Sequence, residues 1–241
     1  MSSSLKILAP AKVNIGLKVL HNREDGFHNI ESIFQTVDLC DELEVSLFDE
    51  SDKKNICDVE CNSMVLPAEN TLTKAYNAFC ASTGFDLGVK VFIKKKIPSG
   101  GGLGGGSSDA ASFIVALSKL SGISLSDSLM DFVASKTGSD VFFFFHSGYF
   151  ENGKGCALVS GRGEVVRKIS PREDFAFLLV FPPVHSSTKE AYELVDKAFE
   201  NGKDVLCPPF ENLEKMYYLP VSEWKFANSF TPVLKEKYSL I

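Results

Sequence analysis

Residues Lys95–Ala111 read KKIPSGGGLGGGSSDAA, a glycine-dense segment between a strand pattern and a helix pattern. Six of the seven residues from Gly100 to Gly106 are glycine, so side chains do not keep an anion away from the peptide nitrogens. Glycine also permits the positive φ angles that turn successive N–H groups toward one point. The helix that follows adds the positive end of its dipole. The segment therefore predicts a phosphate-binding loop.

Three other interpretations of this loop fit the sequence less well. A P-loop requires a lysine after the last glycine, but Ser107 stands there. The glycines at 100, 102 and 105 satisfy the spacing of a dinucleotide-binding loop. That interpretation also needs an acidic residue at the end of a second strand, whereas the region of Asp127 has a helical pattern. A flexible linker is disfavoured because a strand precedes the loop and a helix follows it.

Apolar periodicity and capping residues predict the other elements of the chain. Residues 49–62 are charged and are expected to form a surface connection. The predicted strands are the later half of Ile7–Leu20, Ile33–Leu39, Leu43–Phe48, Val89–Lys94, Val141–Phe150 and Phe175–Phe181. The predicted helices run from Asn70 to Gly84, from near Ser108 to Gly122, over Ser126–Lys136 and over Lys189–Phe199. This order predicts an α+β protein with two lobes, residues 1–160 and 161–241.

Composition limits the classes of function. A net charge of −6 argues against a general nucleic-acid-binding protein. Apolar runs do not reach the ~20 residues that cross a bilayer, and the first residues lack a secretory signal, so we expect a cytoplasmic protein without membrane contact. Cys57 and Cys61 are a weak indication of zinc, without a second pair, and the six cysteines fit a reducing compartment.

The segment Pro98–Ala111 resembles the phosphate loop of the galactokinase, homoserine kinase, mevalonate kinase and phosphomevalonate kinase (GHMP) superfamily. Two further segments, Pro10–Asn14 with Asp25–Ser32 and Thr137–Val141, resemble motifs of one family in it, the 4-diphosphocytidyl-2-C-methyl-D-erythritol kinases. The resemblance implies a GHMP kinase fold, with a ribosomal S5-like N-terminal lobe and a ferredoxin-like C-terminal lobe. It also implies ATP-dependent phosphorylation of the 2-hydroxyl of a cytidine diphosphate-linked methylerythritol, in the methylerythritol phosphate route to isoprenoid precursors.

Two residues are implied to carry the chemistry. Asp140 follows a predicted helix end and precedes five apolar residues, and the resemblance assigns it as the base that accepts the hydroxyl proton. Lys12 is implied to lie beside the acceptor hydroxyl, where a cation favours the developing alkoxide. From the sequence alone, a turn or capping residue remains the alternative for Asp140, and a solvated strand lysine remains the alternative for Lys12.

The resemblance also implies the ligand contacts. ATP, with Mg²⁺, is expected on the loop, and Ser107 and Ser108 offer hydroxyls to the phosphates or to the metal. The nucleotide set comprises Asn70, Lys95, Pro98, Gly100, Gly101, Gly102, Leu103, Gly104, Gly105, Gly106, Ser107 and Ser108. The substrate set comprises Asn14, Phe27, His28, Thr188 and Tyr192, with the two aromatic rings stacking on cytosine. A helix cap at Asn70, a solvated Lys95 and core positions for Phe27 and Tyr192 remain the alternatives.

The third superfamily motif, a glycine–serine loop, is not found. Phe226–Leu234 resembles the stretch that normally precedes it, so we expect an incomplete C-terminal lobe with an exposed sheet edge and reduced stability or activity. The expected assembly is a monomer or a weak homodimer. Two alternatives remain: a mevalonate- or homoserine-type kinase of the same fold, and a catalytically silent nucleotide-binding relative.

Overall fold

The computed structural model describes residues 4–48, 53–183 and 187–238. The strands in these ranges are β1 (Ser4–Asn22), β2 (His28–Leu47), β3 (Cys57–Cys61), β4 (Val89–Lys94), β5 (Cys156–Ser160) and β6 (Val165–Lys168). The helices are α1 (Thr71–Thr83), α2 (Gly105–Ser121), α3 (Asp127–Thr137), α4 (Ser139–His146), α5 (Tyr149–Asn152), α6 (Thr188–Glu200), α7 (Phe210–Tyr217) and α8 (Phe230–Lys237), with a 3₁₀ turn at Val221–Glu223. This mixture confirms the predicted α+β class.

Contacts divide the chain into two compact units. The first comprises Met1–Lys12, Val37–Pro98 and Leu103–Phe145. The second comprises Val13–Thr36, Ser99–Gly102 and His146–Ile241. The long strands β1 and β2 contribute residues to both. The predicted lobe boundary near residue 160 stays a prediction.

In the first unit, the later half of β2 pairs with β4, and three helices pack together. Glu42 lies opposite Lys94 and Leu47 opposite Val89, in an antiparallel register. β3 pairs with the other side of β4 in parallel, and α1 packs against both α2 and α3. Alternate residues of β4 are buried, as the alternation of apolar and polar residues predicts.

Capping residues and glycines place both ends of α1, the end of α2 and the start of α3 where the sequence predicts them. Asn70 caps α1 by accepting the N–H groups of Leu72 and Thr73, and Gly84 ends this helix in the left-handed region. Ser126 caps α3 and Gly122 ends α2. The helix predictions for these segments and for Lys189–Phe199 are confirmed.

The strand predicted at Val141–Phe150 is wrong, because this segment forms α4 and the short α5. Four phenylalanines in a row favour a strand by local propensity. In the structure Val141, Phe144 and Phe145 recur at helical spacing, and Phe143 is buried as well. A helix that is apolar on most sides is stable when it is buried all round, so tertiary burial outweighs local propensity here.

In the second unit, the first half of β2 pairs with β5, and β5 pairs with β6. The core beneath them includes Ile15, Ile33, Leu158 and Tyr217. The Tyr217 hydroxyl donates to Gln35 Oε1 at 2.7 Å and accepts the backbone N–H of residue 172, also at 2.7 Å. This buried hydroxyl is therefore fully satisfied and ties α7 to β2.

Three further strand predictions and one connection predicted from the sequence differ from the structure. Residues 33–39 and 43–48 do not form separate strands, because β2 continues through Asp41 and ends at Leu47. The predicted surface connection at 49–62 contains β3, and its residues 49–52 lie outside the described residues. Phe175–Phe181 forms no strand. The described strands do not pair with it, so its backbone has no ladder to join, and Leu178 is 89% exposed.

Candidate active site

The glycine loop has the backbone conformation that its sequence predicts. Gly100, Gly102 and Gly104 all have φ between 69° and 79°, which side chains with a Cβ rarely adopt. A Cβ on Gly104 would also lie 3.1 Å from atoms of Lys12 and Phe144. Only glycine therefore fits at this position, both for its conformation and for the space around it.

The helix after the loop begins earlier than the sequence predicts. α2 starts at Gly105 rather than near Ser108, and its first internal hydrogen bond runs from the Ser108 N–H to the Gly104 carbonyl at 2.8 Å. Gly105, Gly106 and Ser107 precede that bond, so their N–H groups lack an acceptor within the helix. The helix N-terminus therefore offers backbone donors and a positive dipole at the place where a phosphate would bind.

Lys12 and Asp140 lie together in the first unit, next to this helix start. The Lys12 backbone N–H donates to the Leu103 carbonyl at 2.9 Å. The Lys12 ammonium lies 3.5 Å from Asp140 Oδ2 in the first turn of α4. Lys12 is only 5% exposed, so the alternative of a solvated strand lysine is wrong. The arrangement provides a cation and a carboxylate beside the loop that can act on one hydroxyl group.

Asn70 and Lys95, the two predicted adenosine contacts, both form hydrogen bonds within the protein. Asn70 is the N-cap of α1, and its amide nitrogen also donates to the Pro67 carbonyl at 3.0 Å. The Lys95 ammonium donates to Asp41 at 2.5 Å and to Asp109 at 2.8 Å. Lys95 is therefore not the solvated lysine of the alternative interpretation. Burial lowers the pKa of Lys95, but Asp109 and Asp41 together outweigh burial and hold that pKa above its usual range.

His28 and Tyr192 lie together in the second unit. Their rings stack with centroids 5.0 Å apart. The His28 Nδ1 lies 2.8 Å from the Leu20 carbonyl, and Nε2 lies 3.3 Å from an Asp196 oxygen. Both ring nitrogens thus face oxygen atoms that can accept a hydrogen bond. Neither Asp196 nor its position one helical turn after Tyr192 was recognised from the sequence.

Phe27 lies on the surface of the same unit. It is 54% exposed, and the guanidinium of Arg162 lies 4.9 Å from the centroid of its ring. A core position for Phe27 is therefore excluded. An exposed ring that is already stacked on one face by a cation suits the binding of a planar group.

The other two predicted substrate contacts also belong to the second unit. Asn14 is half-buried on β1. Thr188 is exposed as the first residue of α6, directly after the helix cap Ser187. Their roles toward a substrate stay predictions.

Two acidic residues of the first unit escaped the sequence analysis. The sequence predicts Asp41 only as a break between the strands at 33–39 and 43–48, and Asp109 only as part of the loop motif. Both are almost fully buried and contact Lys95. An acidic residue next to a glycine–serine loop is a usable signal for Asp109, whereas the sequence gives none for Asp41.

The weak zinc indication receives no support from the described residues. Cys57 and Cys61 lie on the edge strand β3, and burial raises the pKa of the Cys57 thiol to about 12, whereas a zinc ligand is a thiolate. Groups of three or more metal-binding side chains are absent from residues 4–48, 53–183 and 187–238. The sequence predicts no role for His21 or His146, and His185 lies outside the described residues. Within the described ranges, the helices are too short or too polar to span a bilayer.

Comparison with known proteins places these features in a family. Residues 70–148 match the model of the GHMP kinases N terminal domain. The chain is 38% identical over 99% of its length to a 4-diphosphocytidyl-2-C-methyl-D-erythritol kinase of Treponema pallidum subsp. pallidum, and it covers 80% of that relative. It is also 38% identical to the enzyme of the same name from Thermotoga maritima, over 98% of this chain and 82% of the relative.

A solved structure agrees with the sequence comparison. A crystal structure of a 4-(cytidine 5'-diphospho)-2C-methyl-D-erythritol kinase superposes with a TM-score of 0.70 at 27% identity, covering 98% of this chain and 79% of that one. The predicted GHMP kinase fold is therefore confirmed, and the protein is a small-molecule kinase that uses ATP. By sequence and by structure, the chain belongs to the 4-diphosphocytidyl-2-C-methyl-D-erythritol kinase family.

Proposed function

We propose that this protein transfers the γ-phosphoryl group of ATP to the 2-hydroxyl of 4-diphosphocytidyl-2-C-methyl-D-erythritol, in the cytoplasm, as a step toward isoprenoid precursors. The observation that carries the proposal is the buried Lys12 that contacts both the glycine loop and Asp140. The names of the relatives supply the substrate.

In the proposed reaction, the substrate hydroxyl oxygen attacks the γ-phosphorus while its proton passes to the Asp140 carboxylate. The bond from the γ-phosphorus to the β,γ-bridging oxygen breaks, and ADP leaves. The Lys12 ammonium stabilises the negative charge that develops on the attacking oxygen. Lys12 also keeps Asp140 oriented, because the two side chains are paired before the substrate arrives.

We propose that ATP binds through the predicted loop set, Pro98 to Ser108, with Asn70 and Lys95 near the adenosine. The N–H groups at the start of α2 have no acceptor within the helix, and Gly104 and Gly105 have no side chains, which suits a phosphate. Magnesium also fits, because the Ser108 hydroxyl is buried without a partner among the described residues. Ser107 and Ser108 would hold the ion together with ATP oxygens, and its charge would neutralise the phosphates.

We propose that the cytidine part is recognised by Phe27, His28 and Tyr192. Because Nδ1 of His28 faces the Leu20 carbonyl, Nε2 is the ring atom that can form a hydrogen bond with cytosine if the base displaces Asp196. Phe27 offers an exposed face for stacking. Asn14 and Thr188 are proposed contacts of the methylerythritol part.

An assay of ADP release tests this substrate choice. Purified protein with Mg·ATP is offered the cytidyl substrate, mevalonate, homoserine and galactose in separate reactions. We expect turnover with the cytidyl substrate alone, because only that molecule presents a base to His28 and Tyr192. Turnover with mevalonate or homoserine instead would reassign the protein within the superfamily. ATP binding without ADP release from any of the four would support the silent relative.

A further inference from the structure

We propose that Asp41, Lys95 and Asp109 form a buried ionic brace that joins the two ends of the glycine loop and holds it ready for a phosphate. The brace is defined as these three side chains. The proposal rests on the proposed function in one respect, that a nucleotide is the ligand of the loop.

The geometry of the brace connects chain segments on both sides of the loop. Lys95 lies just before the loop and donates to Asp41 on β2 and to Asp109 in the first turns of α2. Asp41 Oδ1 also accepts the backbone N–H groups of Lys96 and Ile97, at 2.5 and 2.8 Å. One carboxylate therefore fixes the chain entering the loop, and the other fixes the helix leaving it.

Because the brace is buried, removing any one of its three charged side chains is costly. The Asp41 side chain is fully buried, that of Asp109 is 3% exposed and that of Lys95 is 12% exposed. Replacing a buried ion pair by apolar residues can leave stability unchanged, whereas removing one member leaves an uncompensated charge. In this proposal the three side chains add little to the free energy of unfolding. Their role is to hold the backbone of the glycine loop in one conformation.

The ammonium of Lys95 also lies directly against the phosphate-binding helix start. A Cβ on Gly105 would lie 3.2 Å from the Lys95 Nζ, so even an alanine there would press on the brace. Beside it, Asp109 Oδ1 and the Ser108 hydroxyl are buried without a partner in the part of the chain that the structure describes. The brace is thus adjacent to the polar atoms that a bound phosphate or its metal would engage.

Charge in the brace is asymmetric, with two carboxylates for one ammonium. The charged groups that face Asp109 are Lys95 and Asp41. Burial raises the pKa of Asp109 to about 7, and Lys95 opposes this rise. The connection itself requires only an Asp109 oxygen that accepts from the Lys95 ammonium, as Oδ2 does at 2.8 Å.

Three variants separate a positioning role from a general structural one. Asp109→Ala removes the acceptor for Lys95, and Asp109→Asn removes the charge but retains an acceptor oxygen. Asp58→Asn, the same chemical change at an exposed position of β3, is the matched control. If Asp109→Ala fails to fold, Asp109→Ser takes its place, because a serine hydroxyl is too short to reach Lys95.

The first measurement is amide hydrogen exchange in the peptide that spans residues 96–110, which needs no ligand. We expect exchange at least about 10-fold faster in Asp109→Ala and near wild-type rates in Asp109→Asn and Asp58→Asn. A β5 peptide should be unchanged in all three. If a folded Asp109→Ala or Asp109→Ser variant exchanges its loop amides at the wild-type rate, the proposal of a brace is wrong.

The second measurement is the steady-state kinetics of ATP with the cytidyl substrate saturating. A hydrogen bond to a charged group contributes about 10- to 100-fold in an equilibrium constant, so Asp109→Ala should raise KM for ATP by about 10-fold or more. Its kcat should change much less, because the brace does not touch the reacting atoms. An Asn variant as impaired as the Ala variant would show that charge, and not positioning, is what matters, and would contradict the proposal.

The two proposals can fail separately. Titration calorimetry with Mg²⁺ and the ATP analogue adenylyl imidodiphosphate reports whether the wild-type protein binds a nucleotide at all. Absence of that binding would remove the proposed function, while the hydrogen-exchange result would still decide whether the brace orders the loop.

Discussion

The Lys12 ammonium lies 3.5 Å from the Asp140 carboxylate, although Lys12 belongs to the first strand of the chain and Asp140 to its fourth helix. The Lys12 backbone is at the same time bonded to Leu103 in the glycine loop. Lys12 thus links the glycine loop, which can bind a phosphate, to the Asp140 carboxylate, which can accept a proton from a hydroxyl group. A kinase needs these two parts next to each other.

Asp140→Asn should lower kcat by about 10²-fold or more while the affinity for both substrates changes little. The amide keeps the shape of the side chain but is a poor proton acceptor. Single-turnover rates at saturating ATP, together with binding titrations, measure the two effects separately. Asp127→Asn, at an exposed position in the first turn of α3, serves as the control. Comparable turnover in the Asp140 variant would remove this residue from the mechanism.

His28→Ala should weaken binding of the cytidyl substrate by about 10-fold and leave ATP affinity unchanged. The reason is that His28 is proposed to contact the base and its ring is held by Leu20, Tyr192 and Asp196 in the second unit. Substrate and ATP titrations of the same variant provide the comparison. A loss of ATP affinity instead would show that the two ligands have been assigned to the wrong residues.

The loss of the Asp109 proton should lower the free energy of unfolding as the pH rises from about 4 to about 7. Its pKa is about 7 in the folded protein and has an ordinary value of 3.8, so the folded state binds this proton more tightly than the unfolded state. The stabilisation is complete at low pH and is lost as the pH rises through the folded-state pKa.

Urea unfolding of wild type and Asp109→Asn at several pH values isolates this contribution. The Asn variant cannot titrate, so its stability relative to wild type should increase between pH about 4 and about 7 and then level off. A difference that stays constant over this range would mean that Asp109 does not bind its proton more tightly in the folded state.

Phe143→Ala should cost about 3–5 kcal/mol of unfolding free energy, whereas Leu178→Ala should change it by less than about 0.5 kcal/mol. Phe143 is fully buried in α4, while Leu178 is exposed in a segment without a strand. Denaturant titrations of the two variants give both values. A large loss for Leu178→Ala would indicate that this segment packs against something that the described residues do not show.

The sequence predicted the parts of this protein that depend on local chemistry. Asn70 and Ser126 cap helices, and Gly84 and Gly122 end them, because capping is decided within a few residues. The left-handed glycines of the loop were also predictable from composition alone. The pairing of Lys12 with Asp140 required the resemblance, since spacing along the chain gives no information about a contact this distant in sequence.

Features that depend on tertiary contacts were missed or mispredicted. Phe142–Phe145 has the propensity of a strand and forms a helix because it is surrounded by apolar groups. Phe175–Phe181 has the same propensity and forms neither element, because a strand requires a partner. Asp41 looked like a break in a strand, but it accepts two backbone N–H groups that only the fold brings to it.

The most direct test of the proposed phosphoryl transfer follows the phosphorus atoms. Purified protein is incubated with Mg·ATP and 4-diphosphocytidyl-2-C-methyl-D-erythritol, and ³¹P NMR is recorded over time beside an Asp140→Asn sample. We predict that a new phosphomonoester signal on the 2-oxygen appears in step with ADP, and much more slowly in the variant. ADP formation without that signal, or equal rates in the two samples, would contradict the role proposed here for Lys12 and Asp140.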